Sequence, residues 1–315
     1  MTATATPAKP PKPILSLGDR VFSRSAVFAG SMILVTLAAV AIFLIVQSLP
    51  AFVATNETAS LLPGNFWEYV WPLIFGTVWA AILALIISLP LAIGIALFIS
   101  HYAPRKVSAV LGYVVDLLAA VPSVVFGLWG IGVLAPAVQP VFVWLNEYLG
   151  WFPLFGGVVS GTGRTILTAA LVLGVMVLPI MTAICREVFL QAPVLHEEAA
   201  LALGATRWEM IRMAVLPFGR PGIVSGAMLG LGRALGETMA VAMVLSATGV
   251  VSLRVLTQEN PSTIAANIAL KFPEAYGENI NVLIAPGLIL FIVPFLVNAL
   301  ARWIVSRRAA FNGAN

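Results

Sequence analysis

The chain reads as an all-α membrane protein with six transmembrane helices, and three features carry that reading. Of its 315 residues, 60% are hydrophobic and 10% are charged, with a mean hydropathy of +1.02. A soluble domain holds roughly a quarter charged residues. Uncharged apolar stretches recur, each long enough for the ~20 residues that cross a bilayer as a helix. Lysine and arginine gather in alternate connections between those stretches, as the positive-inside rule requires.

Residues 1–24 are rich in Pro and Ala and carry Lys9, Lys12, Arg20 and Arg24 against Asp19 alone, which predicts a disordered cytoplasmic tail. A permease domain over residues 25–308 follows. Its first span is placed at 26–46, an uncharged run too long for the apolar core of a signal peptide. The next connection holds Glu57 and Glu68 without lysine or arginine, as an external loop would. The second span, 69–100, contains Pro72 and Pro90, where bends are expected. A short basic turn, HYAPRK at 101–106, falls inside.

The third span is placed at 107–136, and Pro122, Gly127 and Gly130 argue against an unbroken helix through it. Residues 137–164, rich in Gly, Pro and Trp, are expected outside. Spans follow at 165–185, 221–247 and 280–301, with an external loop over 248–279 and a C-terminal tail over 309–315. On this layout only Arg164, Arg254 and Lys271 fall outside, and Arg233 lies within the membrane. The other lysines and arginines lie inside. Both termini are therefore expected in the cytoplasm of a multi-pass inner-membrane protein.

Several functions are excluded. No basic cluster is interleaved with aromatics, so nucleic acid is not a partner; the net charge of +4 reflects membrane orientation. The run GVVSGTGRT at 157–165 lacks the spacing of a nucleotide-binding loop and has Arg164 where that loop has lysine. His101, His196 and the lone Cys185 share no metal-ligand spacing, and one cysteine forms no internal disulfide. No Ser/His/Asp set falls at one membrane depth.

Residues 193–217 read as a cytoplasmic helix–turn–helix. Pro193 opens a helix at a position where its missing N–H does no harm. Ala199, Ala200 and Ala202 give it a slim surface, and Gly204 permits reversal of the backbone. Thr206 and Glu209 have capping-box spacing for a second helix, expected to stop before Pro217. A bundle connection needs fewer residues than this.

In the fifth span Gly222, Gly226, Gly230 and Ala234 recur every fourth residue, which suits close helix packing. Arg233 and Glu237 are four apart, on one helical face, where they can pair. Such a pair is either a structural ion pair or part of a pathway for something charged. Asp116, about 15 Å into the third span by helical rise, is open to the same two readings. Ser123, beside Pro122, offers a hydroxyl either to an anion or to the bend in its own helix.

Three motifs then point to a family. Glu198-Ala199-Ala200, Gly204 and Leu216-Pro217 match the EAA–Gly–LP signature of permease subunits of ABC importers, with Ala214 in the place of an isoleucine. PSVVFGLWG at 122–130 and GRALGETMAV at 232–241 resemble C-type permease subunits of phosphate-specific ABC importers, and the resemblance covers residues 71–302. It implies a type I ABC importer permease fold whose coupling helix, at Glu198, Ala199, Ala200 and Gly204, docks on an ATPase. It also implies a pathway for inorganic phosphate at Arg233, Glu237, Thr238, Ser123 and Asp116. The chain itself would bind no cofactor and hydrolyse no ATP. Two ATPase copies, a second permease subunit of A-type, an extracytoplasmic phosphate-binding protein and membrane lipid are the partners implied. The rival readings are an A-type phosphate permease subunit or a permease for sulfate or molybdate. A membrane-embedded enzyme using Glu237 and Asp116, and a scaffold that transports nothing, belong to other classes.

Overall fold

The computed structural model describes residues 17–312, with side chains described through Leu300 and at Arg302 and Trp303. The chain divides into two compact units, one ending at Val46 and the other beginning at Gln47. The first is the greater part of α1 (Leu17–Val53), with large apolar side chains such as Met32, Leu34 and Phe43 exposed along it. The expected tail reaches 24, yet Leu17 to Arg24 are helical. Leu17, Val21 and Phe22 extend the apolar surface downward, and Asp19 in the first turn complements the positive end of the helix. Residues 1–16 and 313–315 lie outside the described residues.

The second unit is built on α6 (Ile166–Leu190), which packs against both α2 (Phe66–Leu97) and α9 (Leu216–Leu235), and those two also meet each other. Ala80 and Ala84 of α2 bury against Val172, Leu173 and Met176 of α6. Ala81 and Ala92 meet Val177 and Met181 further along. Without bulk on α2 the two backbones approach closely, which is how helices associate in an apolar solvent. The glycine stripe of α9 does the same against α6: Gly219 lies against Phe189, Gly222 against Val188 and Gly230 against Met181.

The third apolar segment is divided. Helix α3 (Arg105–Ala119) ends before Pro122, and α4 (Ser123–Trp129) passes through a π turn at Gly130–Leu134 into α5 (Ala135–Leu149). Length and composition mark Ser123–Leu149 as one of six stretches able to cross a bilayer. Packing orders the pieces differently. Gly112 of α3 lies against Arg186 near the C-terminal end of α6, Gly130 against Val172 in its N-terminal third, and Ala135 against Gly163, just before α6 begins. Helices α3 and α4 thus run antiparallel to α6 along its length, and α5 continues past its N-terminal end. The helix at Ala135–Leu149 departs from the irregular loop expected from residue 137. Pro136 sits in its first turn, where a missing N–H costs nothing.

The segment over 193–217 departs from expectation at Pro217. Helix α7 (Val194–Ala202) and the short α8 (Arg207–Met210) form as the caps predict. Helix α8 then runs on through a π turn, Ile211–Val215, straight into α9, with Pro217 in the first turn of α9. The N–H of Leu216 bonds to the carbonyl of Ile211, one residue further back than in an α-helix. That wider turn lets the chain enter α9 through a residue that cannot donate.

At the other end, residues between α10 (Met239–Val244) and α11 (Ile264–Lys271) cover the start of α6. Asn260, fully buried, holds this cover. Its Oδ1 accepts from the N–H of Ile166 at 3.0 Å, and its Nδ2 donates to the carbonyls of Ser246 and Thr257, each at 3.1 Å. Helix α12 (Glu278–Asn312) closes the unit against α9, α11 and α2.

Candidate functional site

Two interrupted helices lie side by side. In the first, Pro122 supplies no N–H and disfavours helix for Val121, so α3 stops and α4 restarts at Ser123. In the second, α9 ends at Leu235, and Gly236, Glu237 and Thr238 separate it from α10. Helices α4 and α10 pack in parallel: Gly127 lies against Ala240 and Met243, and Gly130 against Val244. Stepping each helix back by about one turn brings Ser123 and the Glu237–Thr238 pair to one level.

Glu237 is buried, and its Oε1 accepts from the backbone N–H of Ala240 at 3.1 Å. It therefore holds the first turn of α10, while the hydroxyl of Thr238 donates to the carbonyl of Gly236 at 3.2 Å. Arg233 points elsewhere. It is exposed and lines a cavity of about 1200 Å³ bounded by α6, α9 and α12, with Ser225, Asn298 and Arg302 as its other polar neighbours. Among the described residues, no ion pair or hydrogen bond joins Arg233 to Glu237. The expected pairing requires helix through both residues. The helix ends at Leu235, and the break turns Glu237 inward to α10.

Asp116 stands apart. It is exposed on α3, about two turns before Ser123, and makes no ion pair among the described residues. Ser123, Glu237 and Thr238 thus share one level, Arg233 faces the adjoining cavity, and Asp116 joins neither.

In the α7–α8 segment, Glu198 and Ala199 are exposed, whereas Ala200 packs against a cluster that includes Phe189, Met210 and Ile211. Gly204 has φ of +86° with no atom within 4 Å of where a side chain would start, so backbone conformation selects glycine there. Leu195 and Leu203 are 78% and 90% exposed, an apolar surface that none of the described residues covers. One tie escaped the sequence reading. The Nε2 of His101 lies 3.4 Å from Oε1 of Glu197, and its Nδ1 lies 2.7 Å from the hydroxyl of Ser100. This joins the turn after α2 to α7 across 96 residues, with no local sequence signal.

An all-helical bundle with interrupted helices and a protruding α7–α8 segment is the architecture of a transporter's membrane component. A family profile, the binding-protein-dependent transport system inner membrane component, matches residues 88–310, and the chain belongs to that family. It is thus a multi-pass inner-membrane subunit, and not a catalytic one. Within the family it is 46% identical over 304 residues to the phosphate transport system permease protein PstC 2 of Mycobacterium tuberculosis, covering 90% of this chain and 91% of that protein. To the phosphate transport system permease protein PstC of Mesorhizobium japonicum it is 39% identical over 311 residues, covering 95% and 93%. Among solved structures, a chain of a bacterial ABC transporter involved in import of the acidic polysaccharide alginate aligns with a TM-score of 0.59 at 17% identity, covering 91% of this chain and 99% of that one. An inward-facing form of the MetNI methionine ABC transporter aligns at 0.50 with 18% identity, covering 76% and 94%. Those two likenesses speak to the fold alone.

Proposed function

We propose that this chain is the C-type permease subunit of an importer that moves inorganic phosphate into the cytoplasm. The observation that carries this is the pairing of the two helix breaks, with Ser123, Glu237 and Thr238 at one level and Arg233 facing the adjoining cavity. Interrupted helices at mid-membrane are where transporters place their substrate, because irregular backbone is tolerated there only along a cavity. Both breaks fall in the motifs that resemble phosphate permeases.

The guanidinium of Arg233 presents a planar fork that matches two phosphate oxygens, which a lysine ammonium does not. Glu237, already accepting from Ala240, keeps lone pairs for the hydroxyl of a protonated phosphate. A fully ionised anion such as sulfate has no proton to offer it and is disfavoured. Asp116, exposed on α3, is assigned to the same pathway or to a base on the second permease subunit.

Two copies of a partner ATPase supply the energy by docking on α7 around Glu198, Ala199, Ala200 and Gly204. The apolar side chains of Leu195 and Leu203 are suited to a protein cleft. An A-type permease subunit faces this chain, and a phosphate-binding protein delivers substrate from outside. Membrane lipid surrounds the spans, of which the third is formed by α3 and α4 in two pieces. Both termini lie in the cytoplasm.

Uptake of labelled phosphate into cells dependent on this importer tests the reading. Arg233→Gln retains volume and donors but not charge, so it is expected to stop uptake while the complex still assembles. Uptake at the parental rate, with subunit levels unchanged, would make Arg233 a bystander and remove the pathway.

A further inference from the structure

The glycine-rich run before α6 does not cradle a nucleotide, but it forms one wall of a second cavity, about 450 Å³ in volume. Gly161, Thr162 and Arg164 line that wall, and Ile131, Pro136 and Gln139 line the other. Gly163, with φ of +68°, lies directly against Ala135, and this close, left-handed turn is open only to glycine. It aims Thr162 and Arg164 into the same hollow.

Arg164 is half-buried, and α10 holds it. Its Nε donates to the carbonyl of Val244 at 3.4 Å and its Nη2 to that of Met243 at 3.1 Å. These bonds use two of the five N–H groups of a guanidinium, and both acceptors are neutral. Among the described residues no carboxylate forms an ion pair with Arg164, and none lines the cavity. The hollow therefore contains a positive charge with no carboxylate beside it among the described residues, next to the Gln139 amide and the Thr162 hydroxyl. That hydroxyl shares a hydrogen bond with the Ser160 hydroxyl at 3.3 Å and can donate into the hollow when it accepts from Ser160.

A plainer role is available, since a cation at a helix C-terminus is favourable and Arg164 caps α10. Capping alone calls for neither an open cavity nor a hydroxyl and an amide, Thr162 and Gln139, lining it beside the guanidinium. We propose that the cavity is an outer oxyanion site, at which phosphate released by the binding protein is held before it reaches the helix breaks. Helix α10 leads from Glu237 and Thr238 to Met243 and Val244, so this site lies about 9 Å further along α10 than the pathway residues. The guanidinium supplies charge, Thr162 and Gln139 supply direction. The inference rests on the phosphate reading above.

The test uses the whole importer complex in lipid, without the binding protein, and inorganic phosphate as the probe. Saturable broadening of the phosphorus resonance measures binding, in an Arg233→Gln background that removes the inner site. Broadening is expected to persist there, to vanish with Arg164→Gln, and to need about tenfold more phosphate with Thr162→Val combined with Gln139→Leu. The latter pair leaves the bonds from Arg164 to α10 intact, so it decides the matter if Arg164→Gln fails to assemble. Arg164→Lys is expected to bind weakly, since it keeps charge but loses the fork. Unchanged broadening in the Thr162→Val, Gln139→Leu pair would reduce Arg164 to a helix cap and overturn the site. The parent complex with its binding protein is assayed for uptake alongside. If it takes up phosphate while the site fails, the phosphate reading stands alone; if it takes up none, both fall.

Discussion

Glu237 has one role in the fold and a second in the proposed pathway. Its carboxylate accepts from the N–H of Ala240, so it starts α10, and in the proposed pathway its remaining lone pairs are free to accept from a phosphate hydroxyl. Replacement by alanine removes the cap and is expected to cost about 1 kcal/mol locally, as for other N-terminal caps. Glu237→Gln retains an oxygen for Ala240 but cannot take the proton of a phosphate hydroxyl. We therefore expect Glu237→Gln to assemble at the parental level and to import phosphate several-fold more slowly. Immunoblotting and labelled uptake measure the two separately, and unaltered uptake would restrict Glu237 to its capping role. Arg233 and Glu237 were adjacent on paper because helical spacing was carried across Gly236, where the helix has already ended.

Helix α7 and the turn after it show what an element can specify locally. Pro193 opens it, Gly204 turns it with φ of +86°, and Thr206 with Glu209 starts α8 through a reciprocal cap, Thr206 N–H to Glu209 at 2.8 Å and Glu209 N–H to Thr206 at 3.3 Å. A Cβ at Gly204 meets nothing within 4 Å among the described residues, so Gly204→Leu is opposed by the left-handed backbone, roughly 1–2 kcal/mol, rather than by a clash. The six candidate spans should still insert. The turn itself and the bulk added to its exposed surface should weaken ATPase docking. Loss of ATPase on co-purification is the expected result, and full recovery of the ATPase would place the contact elsewhere. The glycines of α9 divide by a different criterion: Gly222 and Gly230 abut side chains of α6, while Gly232 has nothing within 4 Å and borders the large cavity instead.

The orientation of the chain across the membrane is expected from its charge, because lysine and arginine gather at one set of span ends. Two exposed positions discriminate the sides. Leu203, 90% exposed beyond α7, is expected in the cytoplasm, and Tyr276, 78% exposed after α11, is expected outside. The native Cys185 is buried out of reach of a water-borne reagent, so it makes a quiet background. In intact cells a membrane-impermeant thiol reagent should label Tyr276→Cys and spare Leu203→Cys. The reverse pattern would invert the whole topology, and with it the assignment of α7 to an ATPase.

What the sequence determined by itself was whatever acts over a few neighbouring residues: apolar runs of spanning length, the charge bias between their ends, the break at Pro122, the reversal at Gly204 and the cap at Thr206. Hydropathy, a missing N–H and a left-handed φ are local properties, legible in any window that contains them. Span limits were less legible, because Pro136 and Pro217 look like stops and yet sit in first turns, where a missing donor is harmless. Only the tertiary structure decided which side chains meet. Arg164 reaches carbonyls 79 and 80 residues away, His101 reaches Glu197 across 96, and the levelling of Ser123 with Glu237 follows from Gly127 lying against Ala240. Those distances along the chain exceed any helical period, so packing against α6, and not the spacing of residues, brings the groups of the candidate sites together.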